Sequence, residues 1–228
     1  MGETNGTAAG TVVNGMAQDG VITIKAPDFR TLHIAIEGTA PLVIARFAEK
    51  AMRMIEATQK AGSTAKGKRQ REAKDFNAEY EGAKHVSTEG WYGIHAAAFR
   101  NGSIDACRAV GYKMTHAKLA IFVEADGFDC VDGVPLVRIT HGMPEPFTAP
   151  VRNATGVVDL RTRPMWREWG ALLRIKYDAD MFQDRDVINL IDRVGVQVGV
   201  GEGRPYSKQS AGLGFGTFRI TEVTQVTR

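Results

Sequence analysis

Apolar and polar residues alternate in several short stretches of the chain, which is the pattern of strands with one buried face. In the clearest one, Leu32, Ile34 and Ile36 alternate with polar or small residues up to Gly38. The strands that this period predicts are 32–38, 119–123, 172–177 and 217–221, with weaker signals at 21–25 and 136–140. In 172–177 one face is apolar and the other is largely basic.

Apolar residues at helical spacing predict helices between these strands. Residues 94–110 contain three consecutive alanines, which are strong helix formers, and Gly111 is a natural stop. A second helix is predicted from Asp184, as its cap, to Gly195. A third is predicted over 47–61.

The resulting order is strand, helix, strand, strand, helix, strand, which predicts an α+β fold of the ferredoxin-like or RRM-like kind. Two helices would cover one face of a four-stranded antiparallel sheet, and the other face would stay free. Two long insertions, at about 41–92 and 125–169, interrupt this order, and such long connections are usually functional or disordered. We expect a flexible tail over 1–20 and a single domain over 21–228.

Composition narrows the class of protein. The chain has 228 residues, of which 43% are hydrophobic and 24% charged, an ordinary globular balance. No apolar run approaches the roughly 20 residues that span a bilayer, and the first residues do not form a secretory signal. Two cysteines, Cys107 and Cys130, are too few for a disulfide framework or a thiolate metal site. We expect a cytoplasmic protein without a membrane partner, cofactor or metal.

The most informative stretch is residues 195–216, which read GVQVGVGEGRPYSKQSAGLGFG. Such glycine density indicates backbone that bends sharply or approaches a ligand closely. Exposed amides beside cations would suit phosphate oxygens. A Walker loop is excluded because GxxxxGK followed by Ser or Thr is absent, and a dinucleotide fingerprint because a helix precedes the loop. The predicted phosphate-binding residues here are Gly199, Gly201, Gly203, Arg204, Lys208, Gly212 and Gly214.

A glycine-rich loop between the second helix and last strand resembles the repeat-associated mysterious proteins (RAMPs) of CRISPR systems. The similarity lies in VGVG at 198–201, GLGFG at 212–216, GTAPL at 38–42 and GIHAAAFR at 93–100. It implies a backbone subunit with finger-like and thumb-like insertions, and phosphate binding by Arg100. The spacer between the glycine clusters is longer than usual, and His95 stands where the family often has proline. The short chain leaves room for a phage or mobile-element relative.

Two further basic stretches are predicted to bind nucleic acid. The first is a loop over 60–74, where a solvated surface is an equal alternative. The second, 151–174, combines arginines, which grip phosphates, with Trp166 and Trp169, which can stack on bases or pack in the core as neighbours on a helical turn. The contact residues predicted in the two stretches are Lys66, Lys68, Arg69, Arg71, Arg152, Arg161, Arg163 and Arg167.

No catalytic signature stands out. The five histidines lack metal-ligand spacing, and the acidic residues at 124–132 miss the calcium-loop pattern. The leading hypothesis is therefore a single-stranded RNA- or DNA-binding protein that reads little sequence and assembles as repeated subunits. One alternative is an RNA-processing endoribonuclease that uses His95. Another is a viral or other structural assembly protein that works without nucleic acid.

Overall fold

The computed structural model describes residues 24–46, 56–57, 59–60, 74–152, 158–206 and 212–226, with the backbone alone at 152 and 225–226. In chain order the elements are β1 (Phe29–Gly38), β2 (Leu42–Val43), α1 (Phe76–Gly82), β3 (Gly93–His95), α2 (Ala96–Ala109), α3 (Met114–Ala120), β4 (Ile121–Glu124), β5 (Gly127–Phe128), β6 (Pro135–Arg138), β7 (Glu145–Arg152), β8 (Val158–Trp166), β9 (Gly170–Asp178), α4 (Asp184–Arg193), a π-helix (Val194–Val198) and β10 (Phe218–Val226). The predicted tail 1–20, most of the predicted helix 47–61 and most of the predicted loop 60–74 lie outside the described residues.

The fold is mixed α+β and centres on a four-stranded sheet in the order β10-β1-β9-β4, with every neighbouring pair antiparallel. Its strands match the four strongest strand predictions. Leu32, Ile34 and Ile36 of β1 point into the core, together with Leu173 and Ile175 of β9. The alternation in the sequence therefore marks the buried face correctly.

Helices α2 and α4 contribute to the same core, through Phe99 and Cys107 of α2 and Val187 and Ile191 of α4. The prediction that Asp184 caps this helix is wrong, because Gln183 is the N-cap. The backbone N–H of Gln183 donates to Asp186 Oδ2 at 3.4 Å. The Asp184 carboxylate instead accepts a hydrogen bond from the buried Tyr177 hydroxyl. Burial, followed by this hydrogen bond, raises the pKa of Tyr177 to about 12.

The strand predicted from residue 119 begins later. Leu119 belongs to α3 and is 69% exposed, whereas Ile121 is fully buried and opens β4. Ala117 and Ala120 form the buried side of this short helix. Leu119 keeps the spacing of two with Ile121 and Val123 across the junction of α3 and β4. The alternation therefore predicts a strand that begins two residues too early.

The strands of the segments predicted as insertions form, together with β3, two small sheets in the orders β2-β8-β7 and β3-β6-β5. The prolines at 144–150 predict a loop, but Pro146 and Pro150 lie within β7, the outer strand of its sheet. Pro146 lies opposite Pro164, and since neither has an amide hydrogen, this is a non-hydrogen-bonded pair whose backbone groups point outward. Proline is tolerated there because an outer strand has no partner on that side.

The two tryptophans do not share a helical turn. Trp166 ends β8 and Trp169 precedes β9, and both side chains are fully buried. Trp169 Nε1 donates to the Ala40 carbonyl at 2.9 Å, and its ring lies so close to Gly38 that a Cβ there would be 2.2 Å from Nε1. The core alternative for both rings is correct.

Replacing Trp166 or Trp169 by phenylalanine compares the contributions of two buried indole N–H groups to stability. Trp166 Nε1 has no hydrogen-bond partner among the described residues, whereas Trp169→Phe leaves the Ala40 carbonyl without its donor. We expect Trp169→Phe to lower the free energy of unfolding by about 1–2 kcal/mol more than Trp166→Phe. Urea unfolding measures both variants, and equal losses would contradict the assigned role of the Trp169 hydrogen bond.

Candidate nucleic-acid interface

The glycine-rich loop runs from the end of the π-helix to β10 and crosses beside β2. Six of its glycines have a positive φ, between 65° and 78°: Gly199, Gly201, Gly203, Gly212, Gly214 and Gly216. Residues with side chains rarely adopt these angles. The glycine pattern therefore encodes the turns of the loop.

Most loop amides with a described contact bond to main-chain carbonyls. The donors are Gly199, Val200, Glu202, Tyr206, Phe215 and Gly216, at distances from 2.7 to 3.2 Å. Two of their acceptors, Pro41 and Val43, belong to the segment around β2. The prediction that these amides lie open for phosphate is thus wrong at these positions.

Close packing is the second use of the glycines. A Cβ on Gly201 would lie 2.4 Å from the Val43 carbonyl oxygen, and one on Gly216 would lie 1.8 Å from that of Val200. Backbone cannot move aside as a flexible side chain can. Gly201 thus lets the loop approach the β2 segment, and Gly216 lets the two ends of the loop approach each other, in both cases to hydrogen-bonding distance.

The outer part of the loop is different. A Cβ on Gly214 would meet no atom within 4 Å, and Leu213 is 57% exposed. Gly212 is also exposed, while Lys208 lies outside the described residues. In the second glycine cluster, Gly212 and Leu213 therefore face solvent, Gly214 is half-buried with free space around it, and Gly216 is buried.

The arginine-rich strand β8 meets this loop. Arg163 Nε lies 3.0 Å from Glu202 Oε2 in the loop, and the ring of Phe147 in β7 contacts that of Phe215 at a centroid distance of 5.7 Å. Two segments 39 residues apart in the sequence are thus joined at Arg163 and Glu202. Glu202 is not among the predicted contact residues, although it is the one acid within the glycine-rich stretch.

Two further arginines, Arg161 in β8 and Arg167 just after it, also have carboxylate neighbours. Arg161 Nε lies 3.7 Å from Asp159, which also accepts from Lys74 at 2.9 Å. The Lys74 hydrogen bond is the main cause of a lowered pKa for Asp159. Arg167, whose side chain is 70% exposed, pairs with Glu145.

Arg204 stays with the loop, since its Nη1 donates to the Gly201 carbonyl at 3.1 Å. Arg100 lies elsewhere: it donates to the carbonyls of Lys118 and Ile121, at the junction of α3 and β4. The structure therefore brings Arg163 and Arg204 to the glycine-rich loop, whereas the described neighbour of Arg161 is Asp159 and the described contacts of Arg100 lie elsewhere. The side chain of Arg152, and all of Lys66, Lys68, Arg69 and Arg71, lie outside the described residues.

One group with metal-ligating atoms occurs among the described residues. His85, Asp129 and Asp132 place ligand atoms within 4.8 Å of one another. Asp129 already accepts from His85 Nδ1 at 2.8 Å and from the Val131 amide, and Arg46 Nη1 lies 3.9 Å away. Burial raises the pKa of Asp129, but the Val131 amide and His85 outweigh it and hold that pKa below its ordinary value. This network joins the chain at Arg46 and His85 to the turn at Asp129.

His95, the predicted catalytic candidate, is the N-cap of α2. Its Nδ1 accepts from the Ala97 amide at 3.0 Å, a capping role that leaves a hydrogen on Nε2 in the neutral ring. Its ring centroid is 6.3 Å from that of His85. Burial, and then the proximity of His85, lowers the pKa of His95.

No protein-family model matches the chain, and no curated protein has a significantly similar sequence. The resemblance to RAMPs rests on the sequence motifs alone. Within the described residues, no helix has the length and apolar character needed to cross a membrane.

Substituting two glycines that have the same φ angle separates the cost of backbone strain from the cost of lost packing. Gly201 and Gly214 both have φ of 78°, but only at Gly201 would a Cβ collide with backbone. We expect Gly214→Ala to cost about 1–2 kcal/mol of unfolding free energy from the left-handed conformation alone. Gly201→Ala should cost more, because the loop must also move away from Val43.

Urea unfolding of the two variants at one pH measures the difference. If Gly201→Ala is no more destabilised than Gly214→Ala, the packing of the loop on the β2 segment does not contribute as described.

Proposed function

We propose that this protein binds single-stranded nucleic acid through its sugar-phosphate backbone, with little reading of sequence. The observation that carries the proposal is the meeting of the arginine-bearing strand β8 with the glycine-rich loop at Arg163 and Glu202. Arginines contact phosphates without regard to base identity. A surface built from Arg163, Arg204 and the exposed turn at Gly212 and Leu213, extended along β8 by Arg161, would follow a strand rather than recognise a sequence.

The sheet supports the finer fold assignment. Counting only its own strands and the helices α2 and α4, the chain order is βαββαβ and the spatial order is fourth-first-third-second. This is the arrangement expected of a ferredoxin-like domain. The segment between β1 and α2 and that between β4 and β9 would then be the insertions of a RAMP-like subunit, and a role in a CRISPR, phage or related assembly is part of the proposal.

The acidic partners of the arginines fit a binding site that is closed by ion pairs when empty. Exposed ion pairs such as Arg167–Glu145 contribute little, about 0–1 kcal/mol each. A phosphate is bound through charge-assisted hydrogen bonds from the same guanidinium groups. At Arg167 a phosphate would thus replace the carboxylate at small cost, whereas the Arg163–Glu202 pair, with side chains 17% and 31% exposed, would have to open first. Repeated copies of the chain would line up along the strand in the cytoplasm.

The Arg163–Glu202 pair provides the test. Arg163→Gln removes a cation and should weaken binding, whereas Glu202→Gln frees that cation and removes a repelling charge, so it should strengthen binding. The log-log salt dependence should become shallower by about 0.7 for each phosphate that a variant no longer neutralises. Fluorescence anisotropy with labelled single-stranded RNA and DNA, over a series of salt concentrations, measures affinity and slope together.

Arg185→Gln is the matched control, because Arg185 is an exposed arginine of α4 outside the loop and β8. It should leave affinity nearly unchanged. A wild-type affinity that does not vary with salt would contradict phosphate binding here. So would a change of affinity in the same direction for Arg163→Gln and Glu202→Gln. Oligomers that form equally well without nucleic acid would favour the structural alternative.

An RNA-processing endoribonuclease is the second candidate, favoured by the approach of His95 to His85, which is itself backed by Asp129. Two histidines can act as general acid and base. His95→Asn keeps a good N-cap while removing the titratable ring. Labelled RNA should be cleaved by the wild type and not by this variant if the candidate is correct; an intact substrate with the wild-type protein would exclude it.

A further inference from the structure

The face of the four-stranded sheet opposite α2 and α4 bears an aromatic and cationic cluster at one end. Phe122 of β4, Lys176 of β9 and Thr31 of β1 are direct cross-strand neighbours. Phe29, two residues before Thr31 on β1, points to the same face, and its ring lies 5.8 Å from that of Phe122. Three strands thus build one patch, which we call the aromatic patch.

The two rings of the aromatic patch differ in their surroundings. Arg100 lies over Phe122, with its carbon Cζ 5.2 Å from the ring centre, and is fixed by two main-chain carbonyls. Lys176 lies over Phe29, with Nζ 5.1 Å from the ring centre. Lys176 is exposed and has no carboxylate partner among the described residues, so its flexible side chain can leave the ring.

Charge is distributed unevenly over this face. The aromatic patch carries Lys176 and Arg100, and also Asp178, the cross-strand neighbour of Phe29, which is buried and accepts from the Asp180 amide at 2.9 Å. The acidic residues Glu124 and Glu222 lie farther along the strands. Arg174 in the middle is already paired with Asp126 at 3.0 Å. The patch therefore suits a ligand that combines a flat aromatic group with negative charge.

We propose that a base of single-stranded nucleic acid stacks on Phe29 while Lys176 swings from the ring to the adjoining phosphate. Phe122, held by Arg100, forms the side wall of this stacking position. The inference rests on the proposed function and adds a base-dependent contact to the backbone-dependent surface at the glycine-rich loop. Flat bases stack on aromatic side chains with little sequence preference.

The test compares two probes of equal length: labelled oligothymidylate and a fully abasic oligodeoxynucleotide. Phe29→Leu removes the stacking ring and should weaken binding of oligothymidylate roughly 5- to 150-fold, the equivalent of about 1–3 kcal/mol per stacked base. Binding of the abasic strand should not change. Leu172→Ser is the matched control, because Leu172 is an exposed apolar residue of β9 on the same face, away from the patch.

Lys176→Gln provides a second variant that keeps the aromatic packing. It should weaken both probes and make their salt dependence shallower by about 0.7 in the log-log slope. Unchanged affinity of Phe29→Leu for oligothymidylate would overturn the stacking inference while leaving the proposed function intact. Failure of the wild-type protein to bind these two probes would overturn the stacking inference on DNA, and failure to bind single-stranded RNA as well would overturn the proposed function.

Discussion

The main-chain hydrogen bonds between the glycine-rich loop and the segment around β2 hold the distinctive part of this molecule together. Gly216 donates to Pro41 and Glu202 donates to Val43, and a Cβ on the adjoining Gly201 would collide with the same Val43 carbonyl. Because β2 pairs with β8, the same bonds position the arginine-bearing hairpin beside the loop. The candidate interface is therefore a consequence of glycine packing.

This arrangement changes what the glycines do for binding. A loop with six amides bonded to main-chain carbonyls contributes shape and rigidity, and the ligand contacts fall to side chains and to the exposed turn at Gly212 and Leu213. Arginines held by carboxylates in the free protein are already ordered, so less side-chain entropy is lost when phosphates replace those carboxylates. The aromatic patch, at the other end of β1, would add contacts through the bases.

The central sheet could be predicted from the sequence because its alternation is strict and its buried face is apolar, as at Leu32, Ile34 and Ile36. The β7–β8 hairpin could not, because Pro146 and Pro150 look like loop signals until the strand is known to be an outer one. The ion pairs of the candidate site were also invisible: Glu145 and Glu202 are distant in sequence from Arg167 and Arg163. Phe29 and Phe122 come together only through strand order, which alternation does not specify.

The prolines of β7 have one more consequence. Positions 146, 148 and 150 direct their backbone away from β8, and two of these three positions have no amide hydrogen to offer. A neighbouring molecule that added a strand at this edge would find two of these three amide donors missing, so pairing through the backbone is weakened. Copies arranged side by side would depend more on side-chain contacts, which makes their association dependent on a specific fit and makes unregulated aggregation of the hairpin less favourable.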